Sequence, residues 1–380
     1  NIQNKIEAVL SHLGAYYHNL KGWRTTRKLL VLESDDWGSI RMRNNAAYTK
    51  LLKQGYPVDK GAFERFDQLE SKQDLDALFG VLVKHRDANN RPAVFTANTI
   101  LTNPDFEKIE NSSFTEYHFE LFTETYHRYH KDNEIWNYWM NGISDKVFWP
   151  QYHGREHYNV SYWMERLRNG DRNVLDAFAV EMVGIPAKQA GSAFNDLVVT
   201  ASFRNEGQLQ KIAASFNEGA ELFKQVFGFY SKSFIAPVYT WNTEIEKAVY
   251  EKGVQFIQGG RYQKSPEKPN GKINPVYHSL GERNQFGQTY LVRNVFFEPS
   301  TQSDKVTHFA NALAYIKAAF RMKKPAIVST HRLNYMGGLN EKNRTENLAL
   351  LDRLLKNTID AYPEVEFVTS DELGELIAKG

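Results

Sequence analysis

The sequence predicts an α/β fold built on a parallel sheet, either open or closed as a barrel. Three observations lead there. Eight short segments, mostly β-branched or aromatic, are apolar on both faces, as in a sheet covered on both sides. Stretches with helical spacing lie between several of them. Polar or aromatic residues stand where six of these segments stop, the place where parallel α/β folds carry their chemistry.

The strand candidates, in order, are Lys28–Ser34, Ala93–Ala97, Val147–Tyr152, Ser233–Val238, Val254–Gln258, Leu291–Phe297, Ala326–Thr330 and Glu366–Thr369. Helical spacing is clearest in Asp74–Lys84 (Leu75, Leu78, Phe79, Leu82), in Glu206–Phe227 (Leu209, Ile212, Phe216, Phe223) and in Asn343–Thr358 (Leu348, Leu351, Leu354, Leu355). Residues 1–27 read as a helical extension followed by a basic approach, and 28–380 as a single barrel-like domain. Three regions interrupt the alternation. Residues 111–146 and 160–200 are aromatic-studded insertions above the sheet. Residues 259–288, rich in Gly, Pro, Lys and Asn, read as a mobile surface excursion.

Composition narrows the function. The chain has 380 residues, 42% hydrophobic and 24% charged, enough for one large domain or two ordinary ones. A net charge of +2, with no run of five or more like charges, gives no field for nucleic acid. No apolar stretch approaches the ~18 residues needed to span a bilayer. The first twenty residues are polar and amphipathic, unlike a secretory leader, and the compartment and oligomeric state stay open. There is no cysteine, so a metal site must be built from His, Asp and Glu. Aromatic residues make up 13%, which suits either a large core or a surface that stacks on ring-shaped ligands.

The first strand ends in Glu33-Ser34-Asp35-Asp36-Trp37-Gly38. Two adjacent carboxylates at the mouth of a buried strand repel each other and lose hydration, and a metal ion relieves both costs. The plainer reading is a helix N-cap, although a cap needs only one Asp. Further on stand His153 and His157, a spacing found in zinc sites, or else two surface histidines in a basic loop. The same stretch, His153-Gly154-Arg155-Glu156-His157, also matches the His-x-x-Glu-His pattern of inverted zinc peptidases, with Glu156 as base. Pro150 and Gly154 argue instead for a strand end and loop. His331 closes the Ala326–Thr330 strand and is either a proton donor or a structural residue.

In this order the motifs resemble the polysaccharide deacetylase family, the NodB-homology domain of the carbohydrate esterases, over about residues 28 to 376. Glu33–Gly38 looks like its Thr-Phe-Asp-Asp-Gly motif, and His153 and His157 like its His-x-x-x-His. Phe234–Tyr239 takes the place of its Arg-x-Pro-Tyr strand end, His331 that of its last histidine, and Val365–Leu373 that of its final strand and helix. The resemblance implies a distorted (β/α)7 barrel of the glycoside hydrolase/deacetylase type. It also implies metal-dependent removal of N- or O-acetyl groups from a glycan. Carried over, Asp36, His153 and His157 hold a divalent metal, Zn2+ first, with Co2+ or another divalent ion as alternatives. Asp35 is the base and His331 the acid, while Trp37, Pro237, Tyr239 and Trp241 contact the substrate. Trp136, Trp139 and Trp163 are further stacking or core candidates.

The sequence departs from the family in four respects. The third-motif arginine is replaced by Ile235 or Ala236. No Asp-rich fourth motif is present, Arg293 and Glu298 being the only charged residues near its strand. Trp37 precedes the glycine of the first motif, and Arg332 follows His331 where an acidic residue is expected. Two other readings therefore stand beside the hydrolase: a glycan-binding protein on a decayed scaffold, or a metal-free glycoside hydrolase using Glu33, Asp35 or Glu298.

Overall fold

The computed structural model describes residue 14 and residues 16–380, apart from 131–133, 186–194, 267–268 and 270–272. Most of the expected N-terminal helix thus lies outside the described residues. The core is a curled, wholly parallel sheet of β1 (Lys28–Trp37), β2 (Phe95–Ile100), β3 (Phe148–Gly154), β4 (Ser233–Ile235), β5 (Phe256–Gly259), β6 (Thr289–Val292), β7 (Val295–Phe296) and β8 (Ala326–His331). Its order is β6-β5-β4-β3-β2-β1-β8-β7.

The two edges of that order, β6 and β7, are consecutive in the chain. The backbone N–H of Arg293 bonds to the Gly259 carbonyl at 2.9 Å, and that of the next residue, Asn294, to the Ile327 carbonyl at 3.2 Å. One run of chain therefore changes partner from β5 to β8 within two residues and closes the sheet into a barrel of seven strand positions. A ninth strand, β9 (Val365–Phe367), pairs with the first three residues of β1. The fold is α/β, a distorted (β/α)7 barrel.

Helices α1 (Lys72–Leu82), α2 (Glu134–Ser144), α3 (Glu206–Phe227), α4 (Thr243–Tyr250), α5 (Lys305–Arg321), α6 (Glu341–Ala361) and α7 (Ser370–Lys379) cover the outside. Their starts are written in the sequence. Ser71 and Asp74 form a capping box for α1, while Asn205, Asn242 and Asn340 cap α3, α4 and α6. No helix among the described residues is long and apolar enough to cross a membrane.

Alternation along β1 sorts its side chains. Leu30 and Leu32 pack outward under the helices, while Leu29 and Val31 join Phe256, Leu291 and Ile327 in a separate apolar cluster. Glu33 and Asp35, next on the same face, enter a polar upper interior. The strand is thus apolar on both faces over Leu29–Leu32, as expected, and polar on the inner face only at its upper end.

Two expected strands end differently. The Leu291–Phe297 candidate is split in two by the change of partner. The Ser233–Val238 candidate stops at Ile235, because Pro237 offers no N–H and opens a tight turn in which Val238 and Tyr239 both adopt left-handed backbone, φ 54° and 56°. The 259–288 excursion carries a regular antiparallel hairpin, Tyr262–Pro266 with Ile273–Tyr277. In the 160–200 region, Tyr162, Trp163 and Phe178 pack with Ile40 and Phe106, which follow β1 and β2.

Candidate active site

The first-motif segment breaks strand alternation. The register between β1 and β2 shifts between Ser34 and Trp37, and Asp36 takes left-handed backbone at φ 77°, a conformation that Asp tolerates better than most residues. The break lets Asp35 and Asp36 both line one cleft. It also turns Trp37 the other way. Trp37 is 0% exposed, sits edge-on to Phe148 and donates its indole N–H to Ser34 Oγ at 3.0 Å. Trp37 is thus a core residue rather than a substrate contact.

The bend is clamped from below. The Gly38 N–H donates to Glu70 Oε1 at 3.0 Å, and Asn103 bonds both the Gly38 carbonyl and the Ile40 N–H at 2.9 Å. Gly38 itself has φ 81°, and a Cβ there would lie 2.6 Å from the Ile100 carbonyl oxygen, which explains the glycine. Arg332, fully buried, donates to the Ser39 carbonyl, Glu70 and Asp67 at 2.7, 2.7 and 3.0 Å. The basic residue after His331 thus holds the loop that follows β1.

Asp36 Oδ1 lies 3.3 Å from His153 Nε2 and 3.2 Å from His157 Nε2. Asp36, His153 and His157 each offer a ligand atom within 4.8 Å of the others. His153 is the last residue but one of β3 and His157 follows in a loop, with Gly154, which ends the strand, between them at φ 137°. The segment is not helical, and Glu156 is tied up by Arg155 at 2.6 Å and by the Tyr117 hydroxyl at 3.0 Å. The inverted-peptidase reading is therefore set aside.

The donor set fits a cation. His153 Nδ1 lies 2.9 Å from the Ile235 carbonyl, which only accepts, so Nδ1 carries the proton. In neutral His153 that leaves a lone pair on Nε2 facing a carboxylate oxygen, and two acceptors in contact need a proton or a metal ion between them. Burial opposes the charge of Asp36, but His157 and Arg41 outweigh it and hold the carboxyl well below the usual range. Arg41 Nη2 lies 3.3 Å from Asp36 Oδ2.

Asp35 belongs to a different network. Arg293 donates to both of its oxygens at 2.7 Å, and Asn98 donates to Oδ1 at 2.8 Å. Burial works against its charge, and Arg293 overrides burial and lowers its pKa. Arg293 also donates to Glu33 at 2.6 Å, to the Tyr239 hydroxyl at 3.0 Å and to Ser329 at 3.1 Å. For Glu33 burial prevails over Arg293, and its pKa is raised. The chain of bonds continues from Asn98 to Gln258, Ser233 and Gln151, all buried. An arginine does hold Asp35, from the β6–β7 junction rather than from the third motif.

β1 and β8 pair in register, with Asp35 opposite His331, and this sets His331 Nε2 3.8 Å from Asp35 Oδ2. His331 Nδ1 lies 2.6 Å from Glu298 Oε1, and the other Glu298 oxygen takes the His331 N–H at 3.2 Å and the Asn334 amide at 2.7 Å. Burial would lower the pKa of His331; the Glu298 carboxylate more than reverses this and raises it well above the ordinary value.

The cleft measures about 470 Å3 and is lined by Asp35, Asp36, His153, His157 and His331 together with Arg41, Phe63, Glu64, Tyr239, Tyr262 and Lys264. Burial raises the pKa of Glu64. Tyr239 lines the cleft as expected of a contact, whereas Pro237 is buried and Trp241, 1% exposed, donates to Glu246 at 2.9 Å; neither belongs to the wall. Trp139 and Trp163 are fully buried as well, and Trp136 packs against the core. Arg41, Phe63, Glu64, Tyr262 and Lys264 carried no sequence signal, for they lie on a loop, on the five-residue helix Ala62–Phe66 and on the hairpin. Arg293 and Glu298 did, as the charges near the sixth strand.

No protein-family model matches the chain, and no curated protein matches it. Among solved structures it aligns with a Mycobacterium smegmatis protein described as a polysaccharide deacetylase (12% identity, 94% of this chain and 93% of that one, TM-score 0.41). It aligns also with the peptidoglycan deacetylase PdaC of Bacillus subtilis (10%, 93% and 92%, 0.33) and with a GH57-type branching enzyme of Pyrococcus horikoshii (10%, 92% and 70%, 0.41). At TM-scores below 0.5, these likenesses assign neither a substrate nor a chemistry. In the order of its strand-end motifs the chain is similar to polysaccharide deacetylases, and deacetylases stand among the structures with which it aligns.

Proposed function

We propose that the chain is a metal-dependent hydrolase that removes acetyl groups from an N- or O-acetylated glycan. One observation carries the reading: three ligand atoms, a carboxylate bonded by an arginine, and an imidazole bonded by a second carboxylate converge on one cleft. A divalent ion held by Asp36, His153 and His157, Zn2+ first or else Co2+, would supply Lewis acidity for the acetyl carbonyl and for an attacking water. Asp35, kept ionised by Arg293, takes the proton of that water. His331, kept protonated by Glu298, has Nε2 free of that carboxylate and gives its proton to the departing amine or alkoxide. Phe63, Tyr239 and Tyr262 give the wall the aromatic faces that sugars stack on.

Acetate release from acetylated amino sugars and from xylan-type esters tests the reaction. We expect turnover that is lost on chelation and restored by Zn2+ or Co2+. Glycan cleavage that persists after chelation would overturn the reading in favour of a metal-free glycosidase. Binding of metal and sugar without acetate release across both substrate types would overturn it in favour of a decayed scaffold.

The Glu298 carboxylate keeps His331 charged, so the alkaline limb of the rate profile reports the loss of that proton. In Glu298→Gln the imidazolium loses its counter-charge and its pKa falls. The limb moves to lower pH, measurable as kcat/KM against pH, while metal content stays that of the parent. An unmoved limb would remove His331 from the acid role.

A further inference from the structure

We propose that the hairpin beside the cleft is a second binding surface, for a polysaccharide chain that carries carboxylates, such as a uronate-containing glycan. Its role as the substrate's docking strip rests on the hydrolase reading; the binding itself does not.

Tyr262 and Tyr277 are directly paired across the hairpin, with ring centroids 6.3 Å apart and planes tilted by 52°. They are 47% and 65% exposed, so two apolar ring faces stand side by side in water. Such faces suit the C–H faces of sugar rings, and the pair is preformed on a regular backbone. Tyr262 lines the catalytic cleft, and so does Lys264, two residues on along the strand and therefore on the same face. On the other side of the hairpin, Tyr277 and Arg261 line a second hollow of about 490 Å3. The two tyrosines thus bridge two cavities, an arrangement for a polymer rather than for a single sugar.

Charge identifies the polymer. Elsewhere, half-buried arginines such as Arg128, Arg155, Arg166 and Arg344 meet carboxylates. Among the described residues, Arg261 and Lys264 have no carboxylate partner. The Arg261 guanidinium lies over the Tyr17 ring at 3.8 Å, and its Nη1 is buried with no hydrogen-bond acceptor. An arginine held flat by a ring and lacking a counter-ion is matched by an anionic ligand that brings one. Cations at both ends of an aromatic pair fit a glycan with acidic groups along it. Nucleic acid uses the same two features and is the class to exclude.

The test is calorimetric titration of the whole chain with oligogalacturonate, a neutral xylo-oligosaccharide and oligo-dT. Oligogalacturonate should bind, more weakly as salt is raised. Tyr277→Ala and Arg261→Gln should each weaken it about five- to tenfold, with turnover of p-nitrophenyl acetate unchanged. Equal binding of the neutral oligosaccharide, tighter binding of oligo-dT, or unaltered affinity in both variants would overturn the proposal. Ester turnover without oligogalacturonate binding sinks the docking strip alone. Oligogalacturonate binding without turnover supports the strip and counts against the hydrolase.

Discussion

Replacing Arg293 with methionine is expected to destabilise the folded chain by about 3–5 kcal/mol, the range found when one partner of a buried ion pair is removed. Arg293 and Glu33 have no exposed side-chain surface, and Asp35 is nearly as buried. The guanidinium spans the two carboxylates, with Nε on Glu33 and both Nη atoms on Asp35. Methionine fills much of the volume but leaves two buried carboxylates facing each other without a cation. This fixes the sign of the pH dependence. In the parent, Asp35 has a lowered pKa, so its contribution is present above the ordinary carboxylate range and is lost as pH falls through the folded value. In the variant that pKa rises, and stability falls as pH climbs through the carboxylate range. The gap between parent and variant, measured by urea unfolding, should therefore be larger at neutral pH than in acid. Arg293→Lys keeps a charge but not the fork, and should fall between the two. A gap under about 1 kcal/mol at neutral pH would mean that the three groups do not act as a unit.

The same junction marks how far the sequence could be read. The alternation of strands and helices, the strand ends and the order of motifs were legible, because each rests on local periodicity or on residues adjacent in the chain. Barrel closure was not. It depends on Arg293 and Asn294 bonding to different strands, and nothing local to 291–297 distinguishes a split strand from a whole one. The missing third-motif arginine looked like decay for the same reason, since its replacement comes from about 57 residues away and meets Asp35 only when the sheet curls. Trp37 and Trp241 were misread because aromatic character identifies burial and ligand stacking equally well; a register shift at Ser34/Trp37 decided the first and the bond to Glu246 the second. Lys264 and Tyr262 were hidden in a stretch whose Gly, Pro and Asn content suggested only a loose excursion.

The division of labour between the adjacent aspartates yields the second large effect. Asp36→Ala is expected to lower bound divalent metal from about one ion per chain to a trace, measured by elemental analysis after dialysis, and to abolish turnover. Asp35→Asn should leave the metal in place and lower kcat by about 10²- to 10⁴-fold, the span associated with loss of a general base. The two side chains are neighbours in the chain but not in their bonding. Asp36 touches both imidazoles and Arg41, whereas Asp35 is bonded by Arg293 and Asn98, with both of its oxygens already taken by donors. Three donated bonds leave Asp35 about one open lone pair, on Oδ2, for a proton, while Asp36 Oδ1, shared between two imidazole nitrogens, sits where a cation removes an acceptor–acceptor contact. Metal retained in Asp36→Ala would displace the ligand set. Metal lost in Asp35→Asn would merge the two roles that the Asp36 backbone at φ 77° separates.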